Sequence, residues 1–176
     1  MKDSVAIVTG ASQGIGRSTA IRLARDFSAV VLAARSPKAL EEVVAAAVRK
    51  TGSEPLPLAI DLSQVEAANV IVNTTLERFG RIDALLNIAG AVPQIDLFEM
   101  TDEAWKAGME LKLHGARRLT IRAWDALKQT KGSVVFMSGS AALDPKPAFA
   151  AVAGPTPRSR RLQKLSRSKA LKMAFR

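Results

Sequence analysis

Residues 5 to 16 read VAIVTGASQGIG: an apolar run, Val5-Ala6-Ile7-Val8, closes at Thr9 and gives way to Gly10, Gly14 and Gly16. Four consecutive apolar residues suit a strand buried on both faces. Lacking a Cβ, Gly10 permits a tight turn, Gly14 the close approach of a ligand, and Gly16 close packing of helix on strand. A strand that passes through such a loop into a helix turns backbone N–H groups and a helix N-terminus outward, the geometry that holds a pyrophosphate. The plainer alternative is a glycine-rich connection with no ligand. Strand, loop and helix in this order favour the phosphate loop.

Beyond the loop, Ile15, Thr19, Ala20, Leu23 and Ala24 recur at helical spacing, and Ala29-Val30-Val31-Leu32-Ala33 reads as a second buried strand. Ser36-Pro37 opens a helix with the apolar stripe Leu40, Val43, Val44 and Ala47, since serine caps free N–H groups and proline fits the first turn; Gly52 ends it. Leu56 to Ile60 is a third strand. Asp61-Leu62 follows, then a helix with Ser63 and Glu66 at capping-box spacing and Val65, Val70, Ile71 and Leu76 on its buried face. Ile82 to Ile88, a long helix from about Thr101 to Leu127, and a strand at Val134 to Met137 complete the order β-α-β-α-β-α-β-α-β. Such alternation predicts a Rossmann-like, doubly wound α/β fold of about five parallel strands, with ligands beyond the strands' carboxyl ends. Gly10 to Gly16, Arg35, Asp61, Asn87 to Gly90 and Ser138 to Ser140 all fall at those ends.

The 176 residues, 48% of them hydrophobic, suffice for one core. Residues 1–153 read as that domain and 154–176 as a basic tail of different texture. No cysteine and a single histidine, His114, argue against disulfides, thiolate catalysis and a metal site. No stretch approaches the roughly 20 apolar residues of a membrane span, and Met1-Lys2-Asp3 carries no signal-peptide pattern, so a cytoplasmic protein with no membrane partner is expected. Of the net charge of +10, eight positive charges lie in residues 155–176; the body keeps 18 of the 26 basic residues against 16 acids.

With TGASQGIG at Thr9 to Gly16, Asp61-Leu62, and Asn87-Ile88-Ala89-Gly90 in place, the chain resembles the short-chain dehydrogenase/reductase family over residues 4 to 150. The match is to that family's TGxxxGxG, its adenine-contacting acid and its NNAG, the last with Ile88 at the second asparagine. The resemblance implies a nicotinamide cofactor and hydride transfer between it and an alcohol or carbonyl substrate. The residues it assigns to the cofactor are Thr9, Gly10, Ser12, Gln13, Gly14, Ile15, Gly16, Asp61, Leu62, Asn87, Ala89 and Gly90, to which charge adds Arg17 and Arg35. At the end of strand two an acid would bond a ribose 2′-hydroxyl and repel a 2′-phosphate. Ala34-Arg35-Ser36 has none, and Arg35, with Arg17 beside the loop, can pair with phosphate, so NADP(H) is preferred over NAD(H). As ordinary solvated residues, the two arginines would carry no such meaning.

The family's chemistry rests on a tyrosine proton donor with a nearby lysine and serine. This chain has no tyrosine, and Ala151-Val152-Ala153-Gly154-Pro155 stands where Tyr-x-x-x-Lys is expected. Ser138 and Ser140 flank the usual serine position and could orient a carbonyl or simply shape a turn. Lys112 falls at the family's catalytic asparagine; it and His114 could transfer protons, though neither has a recognisable partner in the sequence. Two further readings stay open: a dinucleotide-binding module without turnover, and an anion or nucleic-acid binder acting through the tail. Nucleic acid is disfavoured, because the tail lacks an aromatic stacking platform. The foreign tail also fits a truncated family member or a slipped reading frame. An unpaired edge at the fifth strand predicts either marginal stability or association, such as a homo-oligomer, and leaves the oligomeric state open.

Overall fold

The computed structural model describes residues 3–90, 95–96 and 98–139; Ser140 and the basic tail lie outside them. Five strands, β1 (Val5–Thr9), β2 (Ala29–Ala34), β3 (Glu54–Ala59), β4 (Ala84–Asn87) and β5 (Ser133–Phe136), form one parallel sheet in the order β3-β2-β1-β4-β5. The chain steps outward from β1 to β3, then crosses back to place β4 on the other side of β1. This makes the carboxyl ends of β1 and β4 the topological switch point, where an open α/β sheet has its crevice.

The sheet is covered on both faces. Every residue of β1 and β2 is buried, as an all-apolar strand in a parallel sheet requires. On one face Ile7, Val31 and Leu85 pack with Ile71 of α3 (Ala67–Phe79) and Leu119 of α5 (Ala116–Gln129). On the other, Val8, Val30 and Leu32 pack with Ala20 of α1 (Gly14–Leu23), with Leu40 and Val44 of a π-helical segment, Ala39–Ala45, and with Val48 of α2 (Ala46–Arg49).

Local side-chain and backbone bonds close three helix ends, the first of them at Ser36, where the sequence placed a cap. Ser36 Oγ accepts from the Ala39 N–H, and Thr101 Oγ1 from the Ala104 N–H at the start of α4 (Asp102–Met109). Gly80 closes α3 in the left-handed region, its N–H donating to the Leu76 carbonyl.

Other expectations are corrected. The capping box at Ser63 and Glu66 does not form, because α3 begins only at Ala67; the Asp61 carboxylate takes the Ser63 N–H at 2.9 Å in an Asx turn, and Glu66 accepts from the Asn69 side chain. The later start fixes the helix phase on Ala68, Ile71, Val72 and Thr75, leaving Val65 and Val70 64% and 48% exposed. Ile15, read as part of the α1 stripe, is 61% exposed; the buried positions are Gly16 and Ala20. The long helix is not uniformly α: Glu110–Gly115, between α4 and α5, is π-helical.

At the amino ends of the strands, Asp83 joins three of them. Its carboxylate accepts from the Val5 N–H at 2.8 Å and from Arg81 at 2.9 and 2.6 Å, its N–H donates to the Val5 carbonyl, and its own carbonyl accepts from the Ser133 N–H. Asp83→Ala leaves the Val5 N–H without its charged acceptor. Urea unfolding is expected to show a loss of about 2 kcal/mol, whereas a loss within the scatter of a surface substitution would contradict the role.

Candidate functional site

The switch point is held by one hydroxyl. Thr9, last residue of β1, is buried; its Oγ1 accepts from the N–H groups of Ile88 and Ala89, both at 3.0 Å, and donates to the Leu86 carbonyl at 3.3 Å. The end of β4 is thereby drawn over the start of the glycine loop. A Cβ on Gly10, which sits at φ +67°, would lie 2.9 Å from Ala89 Cα, so the closeness of the two loops requires glycine there. At Gly16 a Cβ would lie 2.1 Å from the Gly10 carbonyl oxygen, so the helix enters against the turn it has just left.

Gly14 differs from both: φ is +53° and a Cβ would meet nothing within 4 Å, so this glycine faces open space. The α1 N-terminus beside it is uncapped. Gln13 makes no side-chain cap bond, no acid stands in the first turn, and the first helical bond is Arg17 N–H to the Gln13 carbonyl. The N–H groups ahead of it have no partner within the helix, and the helix dipole favours negative charge there. Ser12 is partly buried; Gln13, Ile15 and Arg17 are exposed around the opening. The pyrophosphate of a dinucleotide fits this cradle of uncapped N–H groups and absent side chains.

Beyond β2 and β3 stand Arg35, exposed, and Asp61. The Ser63 N–H, and to a lesser degree the Arg35 charge, hold the Asp61 carboxyl below its ordinary range against the opposing effect of its partial burial. Leu62 is buried, and its carbonyl lies where a Cβ on Gly115 would stand 2.6 Å away, so the long helix crosses this loop in contact that only glycine allows.

Beyond β4 and β5 two buried polar atoms, Asn87 Oδ1 and Ser138 Oγ, have no hydrogen-bond partner among the described residues. Asn87 is otherwise fixed: its Nδ2 donates to Thr120 Oγ1 at 3.2 Å and its carbonyl accepts from the Met137 N–H. Lys112, in the π-helical segment, reaches over the same end, and a Cβ on Gly90 would lie 3.3 Å from its Nζ. Burial pushes the Lys112 ammonium below the usual lysine range. His114, two residues on, is exposed. Thr120 and the π turn were not legible beforehand, although Gly115 inside a helical pattern was a signal of close backbone approach. Among the described residues no group of three or more His, Cys, Asp or Glu could hold a metal ion, and no helix is long and apolar enough to cross a membrane.

This arrangement has close parallels. The family model for short chain dehydrogenases matches residues 4–153. The short-chain reductase protein NovJ of Streptomyces niveus is 34% identical over 142 residues, 80% of this chain and 54% of that protein. The crystal structure of a metagenomic short-chain oxidoreductase in complex with NADP superposes with a TM-score of 0.90 at 28% identity, covering 97% of this chain and 78% of the other. NAD+-bound xylitol dehydrogenase gives 0.90 at 25% identity, covering 98% and 68%. The chain spans about half the length of the relatives it matches in sequence.

Two outcomes test the site as a structure. Thr9→Val leaves the Ala89 N–H unpartnered and removes one of the two acceptors of the Ile88 N–H, which also donates to the Leu86 carbonyl; it is expected to cost about 2 kcal/mol in denaturant unfolding, with Thr9→Ser restoring most of it, and equal stability of all three would contradict the clip. For Asp61 the folded-state pKa lies below the unfolded value of about 3.9, so its contribution is in place above that pH and is lost as pH falls through the lowered folded value. The stability gap between wild type and Asp61→Asn should close on acidification, and a gap that persists at low pH would contradict the assignment.

Proposed function

The chain belongs to the short-chain dehydrogenase family, and from that premise we propose that it is an NADP(H)-dependent oxidoreductase interconverting an alcohol and a carbonyl. The observation that carries the reading is the cradle at the switch point: a glycine at positive φ facing open space, an uncapped helix N-terminus, and the Thr9 clip that holds the neighbouring loop beside them. The α1 amides take the pyrophosphate. Asn87 and the Ala89-Gly90 backbone border the nicotinamide end, Asp61 and Leu62 the adenine end, and Thr9 shapes the crevice from inside. Ser138 and Ser140 are assigned to the substrate oxygen; the unpartnered Ser138 hydroxyl supports the former. When bound, the nicotinamide supplies or accepts the hydride.

The preference for NADP(H) over NAD(H) rests on charge. Arg35 follows β2 where an acid would repel a 2′-phosphate, and Arg17 stands exposed near the loop. Similar solved structures hold NADP in one case and NAD+ in another, so this preference is the chain's own. The partner is a small alcohol or carbonyl compound, and association of copies belongs to the same reading. A second reading, a dinucleotide-binding module without turnover, is favoured by one observation: the chain has no tyrosine.

Titration of NADPH fluorescence followed by NADPH oxidation with a panel of carbonyls tests both readings. Saturable binding with carbonyl-dependent oxidation supports the enzyme, binding without oxidation supports the module, and no binding overturns both. Arg35→Glu is expected to weaken NADPH roughly 10- to 100-fold while leaving NADH within about threefold, the scale of a lost charge-assisted phosphate contact. Equal weakening of both cofactors would contradict the 2′-phosphate role.

A further inference from the structure

Reduction of a carbonyl needs a proton for the new alkoxide as well as a hydride, and a chain without tyrosine must find that proton elsewhere. Among the described residues at the carboxyl ends of β4 and β5, few groups qualify. The Asn87 amide carries no transferable proton and is tied through Nδ2 to Thr120. The Ser138 hydroxyl is suited to donating a hydrogen bond rather than surrendering its proton near neutral pH. Asp61 stands beyond β3, three strands away from β4 in the sheet order and engaged with the Ser63 N–H.

Lys112 has the required properties together. It lies in the π turn between α4 and α5, is partly buried, and brings Nζ to within 3.3 Å of where a Gly90 side chain would begin. Gly90 continues the Asn87-Ile88-Ala89 loop that Thr9 fastens to the switch point, so the ammonium lies beside that loop. The acid nearest in sequence, Glu110, is paired with Arg118. No ion pair holds Lys112 among the described residues, and burial is the one cause of its lowered pKa. The unpartnered Ser138 Oγ and Asn87 Oδ1 occupy the adjacent strand ends, where a polar ligand atom would satisfy them.

We infer that Lys112 Nζ is the proton donor to the substrate oxygen in carbonyl reduction and the acceptor in alcohol oxidation. This rests on the oxidoreductase reading above and adds the group that reading lacks. In reduction the carbonyl carbon gains a hydride from the reduced nicotinamide, the C=O π pair moves onto oxygen, and the new O–H bond forms as an N–H bond of Lys112 breaks. The neutral amine then regains its proton from water. A partly desolvated ammonium gives up its proton more readily than a solvated one, which matches the donor to its task. The titratable neighbours on its own segment are Glu110 and His114, and Glu110 is paired with Arg118 of α5. Glu110 and Arg118 neutralise each other, leaving burial to set the Lys112 titration.

The test compares wild type with Lys112→Met and with Lys112→Arg, which keeps the charge but does not release a proton. Three readouts are taken: NADPH binding, carbonyl reduction as a function of pH, and the pH dependence of Lys112 acylation in the cofactor-free protein, read by peptide mass spectrometry. The expected result is NADPH affinity within about threefold of wild type and kcat lower by about 100-fold or more in both variants, the usual scale of general acid catalysis. Acylation of Lys112 should set in at lower pH than that of the surface lysines, and wild-type reduction should decline as pH rises through the same transition. Retention of more than about one-tenth of kcat in either variant, acylation of Lys112 in step with surface lysines, loss of NADPH binding in both variants, or a wild type that binds NADPH and reduces no carbonyl would each overturn the inference. A wild type that fails to bind NADPH would instead overturn the reading beneath it.

Discussion

The fold's crevice depends on the hydroxyl of Thr9. A parallel sheet whose strand order reverses between β1 and β4 splays its loops to opposite sides, and the opening between them has no ladder hydrogen bonds of its own. Thr9 supplies three, two from the Ile88 and Ala89 N–H groups and one to the Leu86 carbonyl. Those bonds bring the β4 loop onto Gly10, and Gly10 in turn lies beneath Gly16 at the head of α1. Each of the three positions tolerates only what leaves its neighbour in place. The outward-facing Gly14 is then free to border a ligand, because the fold makes no demand on its space.

Much of this was legible in the sequence, since the governing signals are local. Apolar runs at β1 and β2 and a cap at Ser36 act within a few residues of where they are written. The capping box at Ser63 failed because a competing local acceptor, Asp61, took the same N–H. Val65 and Val70 then emerged on the exposed side of a helix that begins later than the pattern implied. The π turn at Glu110–Gly115 could not be read from periodicity; it ends at Gly115, which packs against the Leu62 carbonyl, some fifty residues away in sequence.

The site divides in the same way. Its glycines and Asn87 were visible as motifs, whereas Thr120, which fixes the Asn87 amide, had no signature. Lys112 was visible as a departure from the family's asparagine, but its burial, and its having no ion pair among the described residues, are set by tertiary structure. The cofactor half of the crevice follows the family pattern closely. The other half departs from it, with no tyrosine in the chain and with lysine on the π turn.

The central claim is that the cradle at the switch point holds a nicotinamide dinucleotide by its pyrophosphate. A crystal structure of the chain grown with NADP+ tests it most directly. The account predicts a diphosphate on the amides of Gly14, Ile15 and Gly16, with the 2′-phosphate beside Arg35 and the nicotinamide toward Gly90 and Lys112. A dinucleotide bound elsewhere, or a cradle left empty under saturating NADP+, would contradict it.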